Sequence, residues 1–249
     1  MIVFYFSGTG NTKYIAELFA KKMDVDCHSI EELLDFEARI ADNETITFYY
    51  PVYGSRVPRI MREFVSSVRH TLNGKNIIIF CTQYLFSGDG ARAFSDLLEL
   101  SSITVIYAEH FLMPNNISNF PPLPVADSTS QEKYNLKAAR KIDIVCDNIK
   151  NSVIKKRGFN PFSRLLGLAQ GLPFPKMEAK AANDVRINKQ CNQCGICVSL
   201  CPAGNLLLEG GKIRPEGKCT LCVRCVNKCP QKAITVFVHG KVKRQYVKA

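Results

Sequence analysis

The chain has 249 residues, enough for one medium and one small domain, with 46% hydrophobic residues and a formal net charge of +11. No uninterrupted apolar stretch is long enough to span a bilayer, and no basic segment precedes the apolar opening as in a signal peptide, so a reducing cytoplasm is the expected compartment. The charge surplus sits in residues 158 to 249, with 15 basic and 4 acidic residues, whereas residues 1 to 157 balance at 18 of each.

Residues 2 to 6 form a short apolar run that predicts a buried strand, followed at once by Ser7-Gly8-Thr9-Gly10-Asn11-Thr12 and a helix with apolar positions at Ile15, Leu18 and Phe19. Strand, glycine–hydroxyl loop and helix N-terminus together make a phosphate cradle, because backbone N–H groups converge and the helix dipole favours an anion. The loop lacks the lysine of a Walker motif and is not G-x-G-x-x-G, so ATP and dinucleotides fit poorly.

Residues 45 to 50 predict a second buried strand, which runs into Pro51-Val52-Tyr53-Gly54-Ser55-Arg56-Val57-Pro58 and then a helix over 59 to 70. Residues 76 to 82 predict another, with Thr82 leading into Gln83-Tyr84-Leu85-Phe86-Ser87-Gly88-Asp89-Gly90 and a helix through Leu100. A strand over 103 to 111 and a closing helix over 131 to 157 complete the pattern. Strands alternating with helices predict an α/β domain, a doubly wound parallel sheet whose ligand lies beyond the carboxyl ends of the strands. Residues 112 to 130, rich in Pro, Asn and Ser, read as a surface loop over the edge of the bound ligand or the neighbouring domain. Residues 158 to 184 mix apolar residues with Gly and Pro, which predicts a packed linker rather than a floppy one, with a membrane-surface role disfavoured.

Beyond the linker the spacing C-x2-C-x2-C-x3-C-P occurs twice, as Cys191, Cys194, Cys197, Cys201-Pro202 and as Cys219, Cys222, Cys225, Cys229-Pro230. Three thiolates spaced two residues apart can cap three corners of an iron–sulfur cube, leaving the fourth to a thiolate from elsewhere. A zinc ribbon or a disulfide framework competes, but one Zn²⁺ needs only four sulfurs and gives the third cysteine of each triplet no use. The second run repeats the first at a constant offset, Cys191 matching Cys219 and Cys201 matching Cys229. Each run is followed by a short apolar stretch and a glycine turn, so each half reads as a loop, a turn of helix and a hairpin arm. Val223 stands where the first run has Gly195, a difference with no expected consequence. The remaining cysteines, Cys27, Cys81 and Cys146, are expected to be buried reduced thiols in a strand, a strand and a helix, with a ligand-adjacent role for Cys81 as the lesser reading. The four histidines have no metal-ligand spacing.

The loop from Ser7 to Thr12 resembles the S/T-x-T-G-x-T loop of flavodoxins, and the resemblance extends over residues 1 to 157. It implies strand order 2-1-3-4-5 and bound FMN, with the phosphate at Ser7, Gly8, Thr9, Gly10, Asn11 and Thr12. It also implies ring contacts from Pro51, Val52, Tyr53, Gly54, Thr82, Gln83, Tyr84, Phe86, Ser87, Gly88 and Asp89. Tyr53 would stack on one ring face and Tyr84 or Phe86 approach the other. Flavodoxins crowd acidic groups near the flavin, so Arg56 and Arg59 are a departure.

From about residue 185 to 240 the chain resembles the two-cluster bacterial ferredoxins, in which the fourth cysteine of each run ligates the other cluster. That implies one [4Fe–4S] cluster on Cys191, Cys194, Cys197 and Cys229 and another on Cys219, Cys222, Cys225 and Cys201. The chain as a whole resembles the flavodoxin–ferredoxin fusion proteins of anaerobes, the EFR-type ferrodoxins. The expected organisation is a flavodoxin-like domain over 1–157, a packed linker over 158–184 and a small α+β two-cluster ferredoxin domain over 185–249.

The resemblance implies electron transfer among FMN, two clusters and redox partners, with no set of catalytic side chains. The basic surplus predicts an acidic partner docking near Lys218, Arg224, Lys228 and Lys232. Two other classes stay open. One is an FMN-dependent oxidoreductase reducing a small substrate. The other is an iron–sulfur sensor of nucleic acid, disfavoured because the basic residues form no recognition module.

Overall fold

The computed structural model describes residues 1–98, 102–120 and 122–248. It divides into two compact units, and the chain passes between them more than once: residues 1–113 and 133–174 form one, residues 114–132 and 175–249 the other.

In the first unit, β1 (Ile2–Tyr5), α1 (Asn11–Met23), β2 (Cys27–Ser29), α2 (Phe36–Ala41), β3 (Thr45–Pro51), α3 (Arg59–Val68), β4 (Asn76–Gln83), α4 (Gly90–Asp96) and β5 (Thr104–Leu112) follow in order. The helix expected through Leu100 is described to Asp96, and Leu100 lies outside the described residues. Next come α5 (Ser128–Lys150, which starts in the second unit), β6 (Lys155–Lys156) and α6 (Pro161–Gly171). The sheet is parallel throughout, ordered β2-β1-β3-β4-β5-β6. The expected five-strand order is present, with a two-residue strand added at the edge. Residues 151–157 therefore do not continue the closing helix: the chain turns at Ser152, which adopts φ 55°, and Arg157 N–H then bonds to the Ala108 carbonyl.

The strands were legible because they are buried on both faces. Val3, Tyr5, Tyr49, Phe80 and Phe111 pack against Ile15 and Phe19 of α1 and Ile142 and Val145 of α5. On the opposite face Phe4 meets Phe36 and Phe64 with ring centroids 5.5 and 6.0 Å away, and Phe48 meets Phe94 at 4.9 Å. Cys27, Cys81 and Cys146 lie in β2, β4 and α5. Burial pushes the Cys81 thiol up to about 12, and its Sγ donates to the Tyr50 hydroxyl at 3.2 Å, so it is held as a neutral thiol.

The second unit contains α7 (Phe174–Asn183, entering from the first unit), β7 (Val185–Ile187), α8 (Ile196–Ser199), β8 (Leu206–Glu209), β9 (Lys212–Pro215), α9 (Arg224–Lys228) and β10 (Ile234–Val236). β8 and β9 form an antiparallel hairpin, and β10 pairs antiparallel with β7. Its core joins Val185, Leu206, Ile213, Val226, Ile234 and Val236 to several of the cysteines.

Residues 114–119, part of the segment expected to lie over the ligand or the neighbouring domain, belong to this unit. Asn119 donates to the carbonyls of Val236 (2.8 Å) and Val238, Ser118 bonds to Asn227, and Asn227 donates to the Asn116 carbonyl at 2.9 Å. Buried amides need partners, and these side chains supply partners to an otherwise irregular segment. Residues 158–174 join the first unit and residues 175–184 the second, so the segment read as a packed linker divides at Phe174.

Candidate functional site

At the carboxyl end of the first sheet, β1 delivers the chain into the hydroxyl-rich loop. Gly10 takes φ 105°, a left-handed conformation that favours glycine, and its N–H donates to Ser7 Oγ at 3.1 Å. This turn starts the 13-residue α1. Ser7, Gly8, Asn11 and Thr12 are buried and Thr9 is half-buried. Thr12 Oγ1 lies 2.7 Å from Thr82 Oγ1 at the end of β4, so the first and third expected loops meet through a hydroxyl pair.

The second loop is a two-residue hairpin. Tyr53 and Arg56 exchange both backbone hydrogen bonds at 3.0 Å, and Gly54 and Ser55 sit at φ 55° and 59° between them. Two successive positive φ angles are the signature of a type I′ turn. Pro51 and Val52 enter it half-buried, and Val52 N–H donates to the Thr82 carbonyl at 3.0 Å. In the third loop Tyr84 is half-buried, Leu85 and Phe86 are exposed, and Ser87 and Asp89 are buried. Gln83 Oε1 is buried with no hydrogen-bond partner among the described residues.

Sequence reasoning missed what covers Gly54, Gly88 and Asp89. Helix α6 lies directly on them. A methyl at Gly167 would run into the Asp89 carboxylate, and one at Gly171 into the Arg56 guanidinium. A Cβ at Gly88 would lie 2.7 Å from Gly167 N, one at Gly54 would lie 2.9 Å from the Phe174 ring, and Gln170 bonds to Ser55. Glycine inside a helix costs about 1 kcal/mol relative to alanine, which here permits close approach. The legible signal was the spacing of Gly167 and Gly171, one helical turn apart. Beneath the helix, Asp89 is clamped between Arg56 at 3.4 Å and Arg92 at 3.6 Å. Burial pushes the Asp89 carboxyl up, and the two guanidiniums oppose that shift. Arg56 therefore pairs with Asp89 rather than pointing to solvent.

Ser87 is held from below, its Oγ 2.6 Å from His110 Nδ1 on β5. Beside it, buried Glu109 meets Lys155 at 2.8 Å, Lys141 at 3.0 Å and Arg157 at 3.4 Å. Burial alone would raise the Glu109 carboxyl, but Lys155, the His110 N–H and Lys141 hold it below its ordinary range. His110 is depressed to about 4 by burial first and then by Arg157, against the opposing pull of Glu109.

The unfolded chain thus takes up a proton on this histidine near its ordinary value, while the fold resists it until about 4. Its contribution to stability is complete above pH 6.5 and is lost as pH falls from there towards 4, by about 3 kcal/mol. Urea midpoints measured at pH 7 and pH 4.5 should fall further for the natural chain than for His110→Gln. An equal fall in both would remove the histidine from the account.

In the second unit the cysteines group across the two runs. Cys191, Cys194, Cys197 and Cys229 line one pocket together with Gly195, Ile196, Pro230 and Ile234. The Cys197 thiol is pushed up by burial and then by Cys229, Cys191 and Cys194, the same set. Cys225 is pushed well up by burial and then by Cys222, Cys219 and Cys201, with Cys197 last. Cys229, the fourth cysteine of the second run, thus lies with the first run's triplet, and the charge of Cys201 is among those that raise Cys225 of the second.

The backbone repeats as well. Gln193, Gly195 and Gly204 have φ 60°, 75° and 57°, and their counterparts in the second half, Leu221, Val223 and Lys232, have 60°, 51° and 50°. Asn205 N–H donates to Cys201 Sγ at 3.2 Å, and at the matching position Ala233 N–H donates to Cys229 Sγ at 3.3 Å. Val223 is not the neutral replacement expected, since a β-branched residue in this region carries strain of about 1–2 kcal/mol. Its side chain is buried in the unit's core, which offsets that cost.

Of the expected docking cations, Arg224 Nη1 reaches the Leu200 carbonyl at 3.2 Å and Lys232 Nζ the Lys243 carbonyl at 2.9 Å. Among the described residues no group of three or more His, Cys, Asp or Glu side chains is placed to hold a metal ion. Thiolates around an iron–sulfur cube bind separate irons and surround a larger object than one ion. No helix among the described residues is long and apolar enough to cross a membrane.

Residues 2–120 match the model of the flavodoxin domain, and the N-terminal domain is flavodoxin-like. The chain is also similar to solved structures. Two-electron reduced flavodoxin from Megasphaera elsdenii is 24% identical, with 56% of this chain and 99% of that one covered, at a TM-score of 0.40. A flavodoxin from the domain Archaea is 15% identical, covering 60% and 97%, at 0.40. General stress protein 14 from Treponema denticola, solved in complex with FMN, is 10% identical, covering 59% and 97%, at 0.45. No curated protein matches the chain.

Proposed function

We propose that the chain is an electron-transfer protein that binds FMN in its flavodoxin-like domain and two [4Fe–4S] clusters on its eight repeated cysteines. The observation that carries the cluster assignment is the pocket lined by Cys191, Cys194, Cys197 and Cys229, three thiols of one run with the fourth of the other. Bound flavin supplies one- and two-electron chemistry, and each cluster supplies one-electron chemistry.

The loop from Ser7 to Thr12 fits a phosphate monoester. It has hydroxyls at Ser7, Thr9 and Thr12, a left-handed Gly10, the N-terminus of α1, and no lysine. Gln83 Oε1 is a buried acceptor that a flavin N–H would satisfy. The match of residues 2–120 to the flavodoxin domain supports the same class of ligand. With Gly54, Gly88 and Asp89 lying against α6, the side chains of Tyr53, Tyr84 and Phe86 are the ones to flank the ring. The Arg56–Asp89 pair keeps a guanidinium near the flavin loops with its charge partly cancelled.

For the clusters, the chain's own residues bind and tune. Four thiolates hold each one, and the N–H groups of Asn205 and Ala233 direct hydrogen bonds at the two crossing sulfurs. Such bonds favour the more negative reduced state and raise the potential. The basic second unit would meet an acidic redox protein near Lys218, Arg224, Lys228 and Lys232. An electron-transfer rate indifferent to ionic strength would argue against that contact.

Anaerobically prepared protein should contain one FMN, about eight irons and about eight acid-labile sulfides per chain. Zinc in place of iron, or a flavin other than FMN, would overturn the assignment.

A further inference from the structure

Helix α6 is built inside out. Asn160 caps it by accepting from Ser163 N–H at 2.8 Å, and Pro161 occupies its first turn, so its start is well defined. The side that lies on the protein carries Gly167, Gly171 and Gln170, against Asp89, Arg56 and Ser55. The side turned to solvent carries Phe162, Leu165, Leu168 and Leu172, which are 69%, 65%, 41% and 73% exposed. Their spacing of three and four residues puts them in one stripe. An ordinary surface helix does the opposite, turning its leucines inward and its small and polar residues outward. A contiguous exposed stripe of large apolar side chains marks a surface that is covered in use.

Charge indicates what covers it. From residue 148 to 174 the chain has no Asp or Glu, and it has Lys150, Lys155, Lys156, Arg157 and Arg164. The carboxylate that meets this set from the packed sheet is Glu109, which takes Lys155 and Arg157. The segment thus remains cationic. A second copy of the chain would bring the same cations against it, which disfavours self-association. The stripe is a ridge on one helix, which suits a surface into which side chains can sink.

We propose that this segment docks the protein on an anionic lipid surface, with Phe162, Leu165, Leu168 and Leu172 entering the headgroup–acyl boundary and the cations meeting lipid phosphates. A helix with apolar side chains along one face lies in the interface without spanning it, and here Arg164 on α6 and the Lys and Arg residues of the chain leading into it supply the positive charge. Composition disfavoured such a role for this segment, because composition does not tell which side of the helix its leucines take. The docking is independent of which redox groups the protein carries.

The test is flotation of the full chain with vesicles of phosphatidylcholine alone, or of phosphatidylcholine and phosphatidylglycerol in equal amounts, alongside light scattering of the protein without lipid. Phe162→Ser/Leu165→Ser/Leu172→Ser is the variant. These side chains are largely exposed, so its far-ultraviolet circular dichroism and thermal midpoint should match those of the natural chain. The natural chain should float with the anionic vesicles, at least tenfold less with neutral ones, and the variant at least tenfold less with either. Three results would each overturn the proposal: no flotation of the natural chain, equal flotation of natural and variant chains, or a dimer of the natural chain that the variant dissolves while lipid binding is unchanged. The last would assign the stripe to a second copy.

Discussion

Cys201→Ala should lose the cluster held by Cys219, Cys222 and Cys225 while keeping the one held by its own triplet, and Cys229→Ala should do the reverse. Iron content should fall below about eight atoms per chain in each variant, because a cube lacking one of its four thiolates loses its hold on at least the iron that thiolate bound. The crossing is what makes the prediction specific. Cys201 acts on the Cys225 thiol and Cys229 on the Cys197 thiol, each from the opposite run. Both crossing sulfurs accept a backbone N–H from the residue four further along, so both are held in equivalent positions. Paramagnetic spectra of the reduced variants should therefore lose complementary signals. Two variants with the same remaining spectrum would defeat the crossed arrangement. Some loss of stability should accompany either change, because bound clusters contribute folding free energy to a small unit.

Replacing Thr9 and Thr12 together by alanine should weaken FMN binding by about 10² to 10⁴, at about 1.5–3 kcal/mol for each hydrogen bond to a charged group. The clusters should be unaffected, which iron analysis of the same sample would establish. Geometry adds a third residue. The Thr12 hydroxyl has one proton, and it can give that proton to phosphate only if the Thr82 hydroxyl, 2.7 Å away, donates to it rather than accepting. Thr82→Val should consequently weaken FMN binding too, by less than Thr12→Ala, since it orients a donor without removing one. Riboflavin, which lacks the phosphate, should bind the natural chain far more weakly than FMN. Equal affinity for FMN and riboflavin, measured by fluorescence quenching, would show that the loop does not hold a phosphate.

What the sequence determined by itself was whatever is local or strictly repeated. Strands β1, β3 and β4 were legible because both faces of an inner parallel strand are buried, which leaves uninterrupted runs such as Ile77 to Phe80. The turn between β1 and α1 was legible because its glycines and hydroxyls sit between a buried strand and a helix with apolar positions at Ile15 and Phe19. The cysteine runs were legible because their spacing is a chemical constraint carried on contiguous residues. Tertiary structure alone decided the rest, because those features depend on which distant groups must be satisfied. The Asn- and Pro-rich segment around Asn119 read only as a loop over the ligand or the neighbouring domain, and the structure shows which groups it satisfies, the carbonyls of Val236 and Val238 far along the chain. Val223 looked interchangeable with Gly195 until the backbone placed both at positive φ. Helix α6 had the composition of a segment that buries its leucines. Its glycines take the inner face because only they can approach the Arg56–Asp89 pair, and that steric limit turns Phe162, Leu165 and Leu172 outward.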